Sequence, residues 1–208
     1  MVTVIRKFLW RDVLPLSILI ERVWNMDAYG DDISMSAAQA YALTCLSRST
    51  KKYTAFVNGE FAGVLMLWAK GRRKGYGYKG RLQRITSYME SLESYPRFAE
   101  DFANMERVDE ELRKTYAKDI PGEIVLMILS ERFRGMGIGK TMFNLACRYF
   151  CTNGVDRFFL YTDTDCNYGF YDAMGAEKLG GCDTYCLGEE LGMYIYTYDI
   201  DCNNHIEL

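Results

Sequence analysis

Arg134, Gly135, Met136, Gly137, Ile138, Gly139, Lys140 and Thr141 are the residues whose types and spacing best suit holding an anion. Glu123 to Leu129, just before them, is an apolar run of strand length that follows Pro121 and Gly122. After them, Met142, Leu145, Ala146, Tyr149 and Phe150 recur at helical spacing until Asn153 and Gly154 stop the helix. A strand feeding a glycine loop at a helix N-terminus presents unpartnered backbone N–H groups and about half a positive charge from the helix dipole. Glycines there let the backbone approach a phosphate closely. A glycine-rich turn without a ligand is the alternative.

Spacing separates the phosphate motifs that could apply. A Walker A loop ends in Gly-Lys-Thr, as 139–141 do, but requires glycine where this chain has Arg134. The dinucleotide fingerprint, started at Gly135 or at Gly137, requires glycine where Lys140 or Met142 stands. Arg/Gln-x-x-Gly-x-Gly/Ala is matched in full by Arg134, Gly137 and Gly139.

That pattern belongs to the GNAT superfamily of N-acetyltransferases, and the stretch from Leu129 to Gly139 resembles the end of that family's fourth strand and its pyrophosphate loop. A second stretch, Asn167-Tyr168-Gly169-Phe170-Tyr171-Asp172-Ala173-Met174-Gly175-Ala176, resembles its other signature, an Asn followed by Phe-Tyr and then Gly. Glu131 stands where the family usually has Pro, and Ala176 where it has Phe. The resemblance implies an α/β (α+β) fold with a central mixed twisted sheet of about six or seven strands. It also implies acetyl-CoA as acyl donor. Arg134 through Thr141 would hold its pyrophosphate, backbone at Met127 and Leu129 its pantetheine arm, and an N–H near Met127 and Ile128 the thioester oxygen. Asn167 and Phe170 would contact the cofactor, and Asn167 is expected on the same helical face as Tyr171. Tyr171 stands at the family's general-acid position, with a packed tyrosine as the alternative. Glu123 is the candidate general base, with a solvated strand end or a water chain as alternatives.

The rest of the chain must position these groups. Thr3 to Phe8 suggests a first strand. A helix follows, with Asp12 as cap, Pro15 in its first turn, a buried face of Leu16, Leu19, Ile20, Val23 and Trp24, and an end at Tyr29-Gly30. A second helix has Ser36 and Gln39 as a capping box, with Ala40, Leu43 and Leu46 beyond. Asn58-Gly59 between Tyr53–Val57 and Phe61–Trp68 predicts a type I′ hairpin. Residues 70–121 form an insert between the third and fourth strands. Lys70, Arg72, Arg73, Lys74, Lys79, Arg81 and Arg84 occur there with Tyr76, Tyr78 and glycines, ahead of an acidic part from Glu90 to Glu111. Apolar periodicity predicts two helices in it, the second from about Pro96. Phe158 to Tyr161 predicts a further strand, and a short helix begins near Asn167. Ala176–Leu179 and Met193–Asp199 close the chain as strands, with Gly180 to Gly192 as a glycine-broken connection. Tyr194, Tyr196 and Tyr198 share one face, in core, dimer packing or substrate contact.

At 208 residues, 49% hydrophobic and 25% charged, the composition is that of one ordinary globular domain, 1–208. The net charge of −3 argues against nucleic acid as the general partner. The basic stretch is still compatible with a solvated loop, single-stranded nucleic acid or attraction of coenzyme A phosphates. Seven cysteines without paired spacing predict reduced thiols and a cytoplasmic protein. No metal site is expected, since the one histidine is His205 in the tail and Cys182/Cys186 is the closest pair off a helix. The apolar run Val13–Ile20 is too short to span a membrane. Acidic insert helices and clustered tyrosines suit a small cationic amine as acceptor. A non-catalytic coenzyme A-binding module and a protein N-terminal or lysine acetyltransferase are the competing functions. The acceptor's identity is not legible, and both monomer and homodimer remain open.

Overall fold

Asn58 and Gly59 have φ of 49° and 85°, the left-handed pair a type I′ turn requires, and they join β2 (Lys51–Val57) to β3 (Glu60–Ala69) in antiparallel register. β1 (Thr3–Lys7) pairs antiparallel with β2, from Thr3 opposite Val57 to Lys7 opposite Tyr53. The computed structural model describes residues 2–74 and 76–203, without the side chain of Tyr76; Gly75 and His205 fall outside these. The described residues form two compact units. One lies within Met1–Trp68, Arg72–Ala99 and Val125–Thr141, the other within Ala69–Gly71, Glu100–Ile124 and Met142–Leu208.

In the first unit, α1 (Val13–Val23) packs on α2 (Ser34–Arg48), and α2 on α3 (Lys79–Met89). Leu16, Ile20, Leu43 and Leu46 are completely or almost completely buried, each contributing roughly 2 kcal/mol of transfer free energy. Asp12 does not cap α1. It closes a 3-10 turn, Trp10–Asp12, and its buried carboxylate accepts from Arg6 Nη1 and Nη2 at 2.7 Å, Leu9 N–H at 2.8 Å and Thr54 Oγ1 at 2.9 Å. Long-range partners outcompeted the local cap. The first helix also ends earlier than expected, at Val23. Asn25, at φ 50°, breaks it, and Met26–Tyr29 is a separate 3-10 turn. α2 begins at Ser34, so Ser36 and Gln39 lie inside the helix and form no capping box.

The insert carries α3 and α4 (Tyr95–Leu112), the latter followed by a π-helical turn at Arg113–Ala117. Within the second unit, Val108, Leu112 and Ala117 pack with Phe159, Leu191, Met193 and Ile195. These last four lie on one face of β5 (Arg157–Asp163) and β7 (Glu189–Asp199). The opposite face presents Phe158 and Tyr198 to Phe143 of α5 (Ile138–Thr152), whose ring centroids are 5.6 and 5.1 Å away. β4 (Gly122–Leu129) pairs parallel with β5 over Gly122–Ile124. A Cβ on Gly122 would lie within 3.0 Å of Phe150, Val155 and Phe158, which explains glycine at the strand's entrance.

α6 (Gly169–Ala173) leads into β6 (Glu177–Cys186), which runs antiparallel to β7 almost to its end. Gly180–Gly192 is therefore mostly paired strand rather than a connection. Its turn is the two residues Leu187 and Gly188, with φ of 56° and 84°. The whole sheet is mixed and seven-stranded, in the order β1-β2-β3-β4-β5-β7-β6, with helices flanking it. Cys151, at the end of α5, forms a disulfide with Cys202, which corrects the expectation that all thiols are reduced. The partners are 51 residues apart, a pairing that spacing along the chain could not disclose. Among the described residues no helix is long and apolar enough to cross a membrane.

Candidate active site: an anion cradle and a buried tyrosine

In the first unit, Ile128 and Leu129 lead to a 3-10 turn at Glu131–Phe133, pinned by the buried Phe133 ring. The Ser130 N–H donates to the Ala62 carbonyl at 2.8 Å, so β3 fixes where the loop departs. Gly63 is required beside it, because a Cβ there would lie 2.1 Å from the Ile128 carbonyl oxygen. Gly135 and Gly137 then adopt φ of 74° and 76°. An L side chain at either would incur roughly 1–2 kcal/mol of strain. Arg134 N–H donates to Glu131 O at 3.0 Å and Thr141 N–H to Gly137 O at 3.0 Å. Between them, the amides of Gly135, Met136, Gly137, Ile138 and Gly139 donate to no acceptor among the described residues. The loop is exposed while Ile138 is buried, so the helix start is anchored and its donors face solvent. This is the arrangement that binds phosphate at a helix N-terminus.

In the second unit, Tyr171 is buried on α6, its ring 5.3 Å from Phe170 and 6.1 Å from Tyr196. Burial, with the acidic groups of Cys166 and Asp163 close by, pushes its phenol well above the usual tyrosine range. The phenol therefore stays protonated, and available as a donor, at any ordinary pH. The Asp163 carboxylate shapes the turn before α6, accepting from the N–H groups of Asp165 at 3.0 Å and Cys166 at 2.9 Å. It also accepts from Cys166 Sγ at 3.4 Å. Burial raises this carboxyl and, with Asp163 beside it, lifts the Cys166 thiol to about 12.

Residues 102–176 match the acetyltransferase (GNAT) family, over both signature stretches. The matched stretch is about a third of the chain, and around it the fold is that of GNAT acetyltransferases. The matched family is one of acyltransferases that draw the acyl group from acetyl-CoA. The GNAT fold is shared with Ard1 from Thermoplasma volcanium, at 15% identity and a TM-score of 0.58, covering 96% of this chain and 99% of that one. An N-acetyltransferase from Staphylococcus aureus Mu50 shares it at 14% identity and 0.56, covering 96% and 99%. A GNAT-family acetyltransferase from Streptococcus pneumoniae does so at 14% and 0.53, with the same coverage. No curated protein matches in sequence.

The other GNAT signature residues differ in part from expectation. Asn167 precedes α6 and is exposed, so it shares no helical face with Tyr171; its carbonyl instead accepts the Phe170 N–H at 3.1 Å. The helix is too short to hold both. Glu123 is 4% exposed, which removes the solvated strand end as an explanation for it. It lies opposite Phe159 in the parallel pair, hence on the face covered by α4. The tyrosine stripe packs internally, with Tyr198 on Phe143, Tyr196 on Tyr171 and Tyr194 on Tyr168. Asp163 and Cys166 escaped sequence reasoning. The signal was there as an aspartate opening a turn two residues ahead of the N–H groups it caps. Among the described residues no group of three or more metal-ligating side chains occurs.

Proposed function

We propose that the protein transfers an acetyl group from acetyl-CoA directly to the primary amine of a small cationic molecule bound at the same time. The observation that carries the cofactor half is the run of unpartnered amides from Gly135 to Gly139 at the start of α5. Those amides, with Arg134, Lys140 and Thr141, bind the pyrophosphate, while backbone at Met127 and Leu129 pairs with the pantetheine arm and the N–H near Ile128 takes the thioester oxygen. Asn167 and Phe170 complete the cofactor contacts.

The amine nitrogen, once neutral, attacks the thioester carbonyl carbon. The C–N bond forms, the C–S bond breaks, and the electron pair leaves on sulfur. The amine's surplus proton passes to Glu123, and the Tyr171 phenol donates to the departing thiolate. With its affinity for the proton raised by burial, Tyr171 stabilises the thiolate chiefly through a hydrogen bond. Support for a cationic acceptor comes from Lys178, whose Nζ sits 3.2 Å from the centroid of the Tyr194 ring, an ammonium already resting on the stripe. Two of the acids of α4 are paired locally, Glu111 with Arg107 in the helix and Glu110 with Lys114 of the π-helical turn that follows.

Thiol release on mixing the protein with acetyl-CoA and a panel of amines tests this. Turnover with diamines or amino sugars, absent with neutral alcohols, is the expected result; release that no amine stimulates would leave only a coenzyme A-binding module. Tyr171→Phe should lower kcat and leave the cofactor's KM near that of the parent, and Glu123→Gln should shift the acidic limb of the rate profile.

A further inference from the structure

The basic stretch of the insert leads into α3 in the first unit, where that helix packs on α2. A cleft of about 380 Å³ lies there, lined by Trp10, Val13, Leu14, Leu43 and Ile85, with Arg11, Arg81 and Gln39 supplying its polar groups. Its size falls within the range of small-molecule pockets, roughly 300–1,000 Å³. The chemistry of the lining is one-sided. Arg81 places its guanidinium 3.9 Å from the centroid of the Trp10 ring, and Tyr78 stacks on that ring at 6.0 Å. Neither Arg11 nor Arg81 has a carboxylate within ion-pair distance among the described residues. The nearest acid in sequence, Asp12, is buried and turned to Arg6 and Thr54, so it does not neutralise its neighbour. Around Tyr78 the field is positive as well. The Lys52 ammonium lies 5.5 Å from its ring, and burial together with the charge of Lys7 depresses the Lys52 pKa.

An apolar cleft with two uncompensated guanidinium groups at its edge selects a ligand of matching form. We infer that this cleft binds a small amphiphile with one carboxylate and a short apolar body, its head between Arg11 and Arg81 and its body against Trp10, Leu14, Leu43 and Ile85. A polyanion is a poorer fit, since the apolar floor would leave its further charges without partners. The ammonium of an amine substrate is repelled at this edge, so the site is distinct in chemistry from the acceptor proposed above and does not depend on it.

Calorimetric titration of the whole protein with octanoate, octylamine and octanol tests the inference. Octanoate should bind saturably at one site, octanol more weakly by about tenfold or more, as expected for losing a charge-assisted pair, and octylamine not at all. Arg11→Gln and Arg81→Gln should each weaken octanoate by about tenfold. Ile85→Trp, which fills the cleft from the half-buried face of α3, should abolish binding while leaving the thermal shift by acetyl-CoA intact. Equal affinity for octanoate and octylamine would overturn the inference. So would binding of anionic vesicles, or self-association on dilution analysis, in the absence of saturable octanoate binding, since either would assign the face to a lipid surface or to a second copy.

Discussion

Two substitutions at Gly137 separate the shape of the loop from its charge. The residue has φ of 76°, and a Cβ built on it meets nothing within 4 Å. Gly137→Ala therefore carries a backbone cost of roughly 1–2 kcal/mol and no clash. For a protein of this size each kcal/mol lowers Tm by about 2–4 °C, so a fall of about 2–8 °C is expected without ligand. Gly137→Glu has the same backbone cost and the same open space, so its unliganded Tm should match. The difference lies in the anion. A carboxylate about 5 Å from a phosphate charge is repelled by about 1 kcal/mol in water, and by about 3 kcal/mol at an effective dielectric of 20. With two phosphate charges to oppose, binding should weaken by at least tenfold. Acetyl-CoA at 100 times its Kd raises stability by about 2.7 kcal/mol, a shift of about 5–10 °C that both variants can be scored against. Melting curves with and without acetyl-CoA, at low and high salt, are the assay. Gly137→Ala should keep most of the shift. Gly137→Glu should lose about half of it or more at low salt and regain part as salt screens the charges. Equal, salt-independent losses in the two variants would refute electrostatic capture by the loop, and a full shift in Gly137→Glu would refute the cradle itself.

Two further predictions rest on carboxylates, one buried and one half-buried. Burial works against ionisation of Asp12, but Arg6, Leu9 N–H and Thr54 together hold its carboxyl below the usual range. Because the folded pKa is depressed, the stabilisation is present above about pH 4, the unfolded value, and is lost as pH falls through the folded one. Asp12→Asn should cost about 3 kcal/mol at neutral pH, with Arg6 left partly buried and unpaired, and should flatten the acid limb of the stability curve; an unchanged acid limb would count against it. Asp163→Asn keeps acceptors for the turn amides but removes the charge near Tyr171, so ultraviolet titration should find that phenol ionising at lower pH than in the parent. An unmoved tyrosine titration would remove Asp163 from any part in holding the phenol protonated.

The elements that sequence disclosed are those whose determinants are local. Asn58-Gly59 names its own turn, because few other residue pairs tolerate two positive φ values in succession. Gly135 and Gly137 announce a backbone that side chains would strain. The misreadings share the opposite origin. Asp12 has the right type and place for a cap, yet Arg6 and Thr54 approach from other strands and take its carboxylate. Gly180 weakens β6 as a sequence pattern, but the ring of Tyr116 lies where its Cβ would be, at 2.5 Å, so the glycine makes room for the insert's π-helical turn rather than ending the strand. Cys202 reaches Cys151 only once β7 has returned the chain to the end of α5. A residue's propensity is readable where its strongest partner is a near neighbour, and is misleading where the fold brings a stronger one.

Glu131, the departure from the family's usual proline, bears on whether Arg134 can serve a phosphate at all. Its Oε1 accepts from Arg134 Nη1 at 3.1 Å, which occupies the cation the motif requires. Both side chains are substantially exposed, at 44% and 79%, and such a surface ion pair contributes about 1 kcal/mol at most. A phosphate offers the same guanidinium a bidentate, charge-assisted contact and brings with it the neighbouring loop amides, so exchange of partners is downhill. The Glu131 contact then acts as a resting place that holds the guanidinium beside the loop and limits the rotamers it must give up on binding. On the proposed reading, glutamate in place of proline is therefore compatible with phosphate binding at Arg134, Gly137 and Gly139.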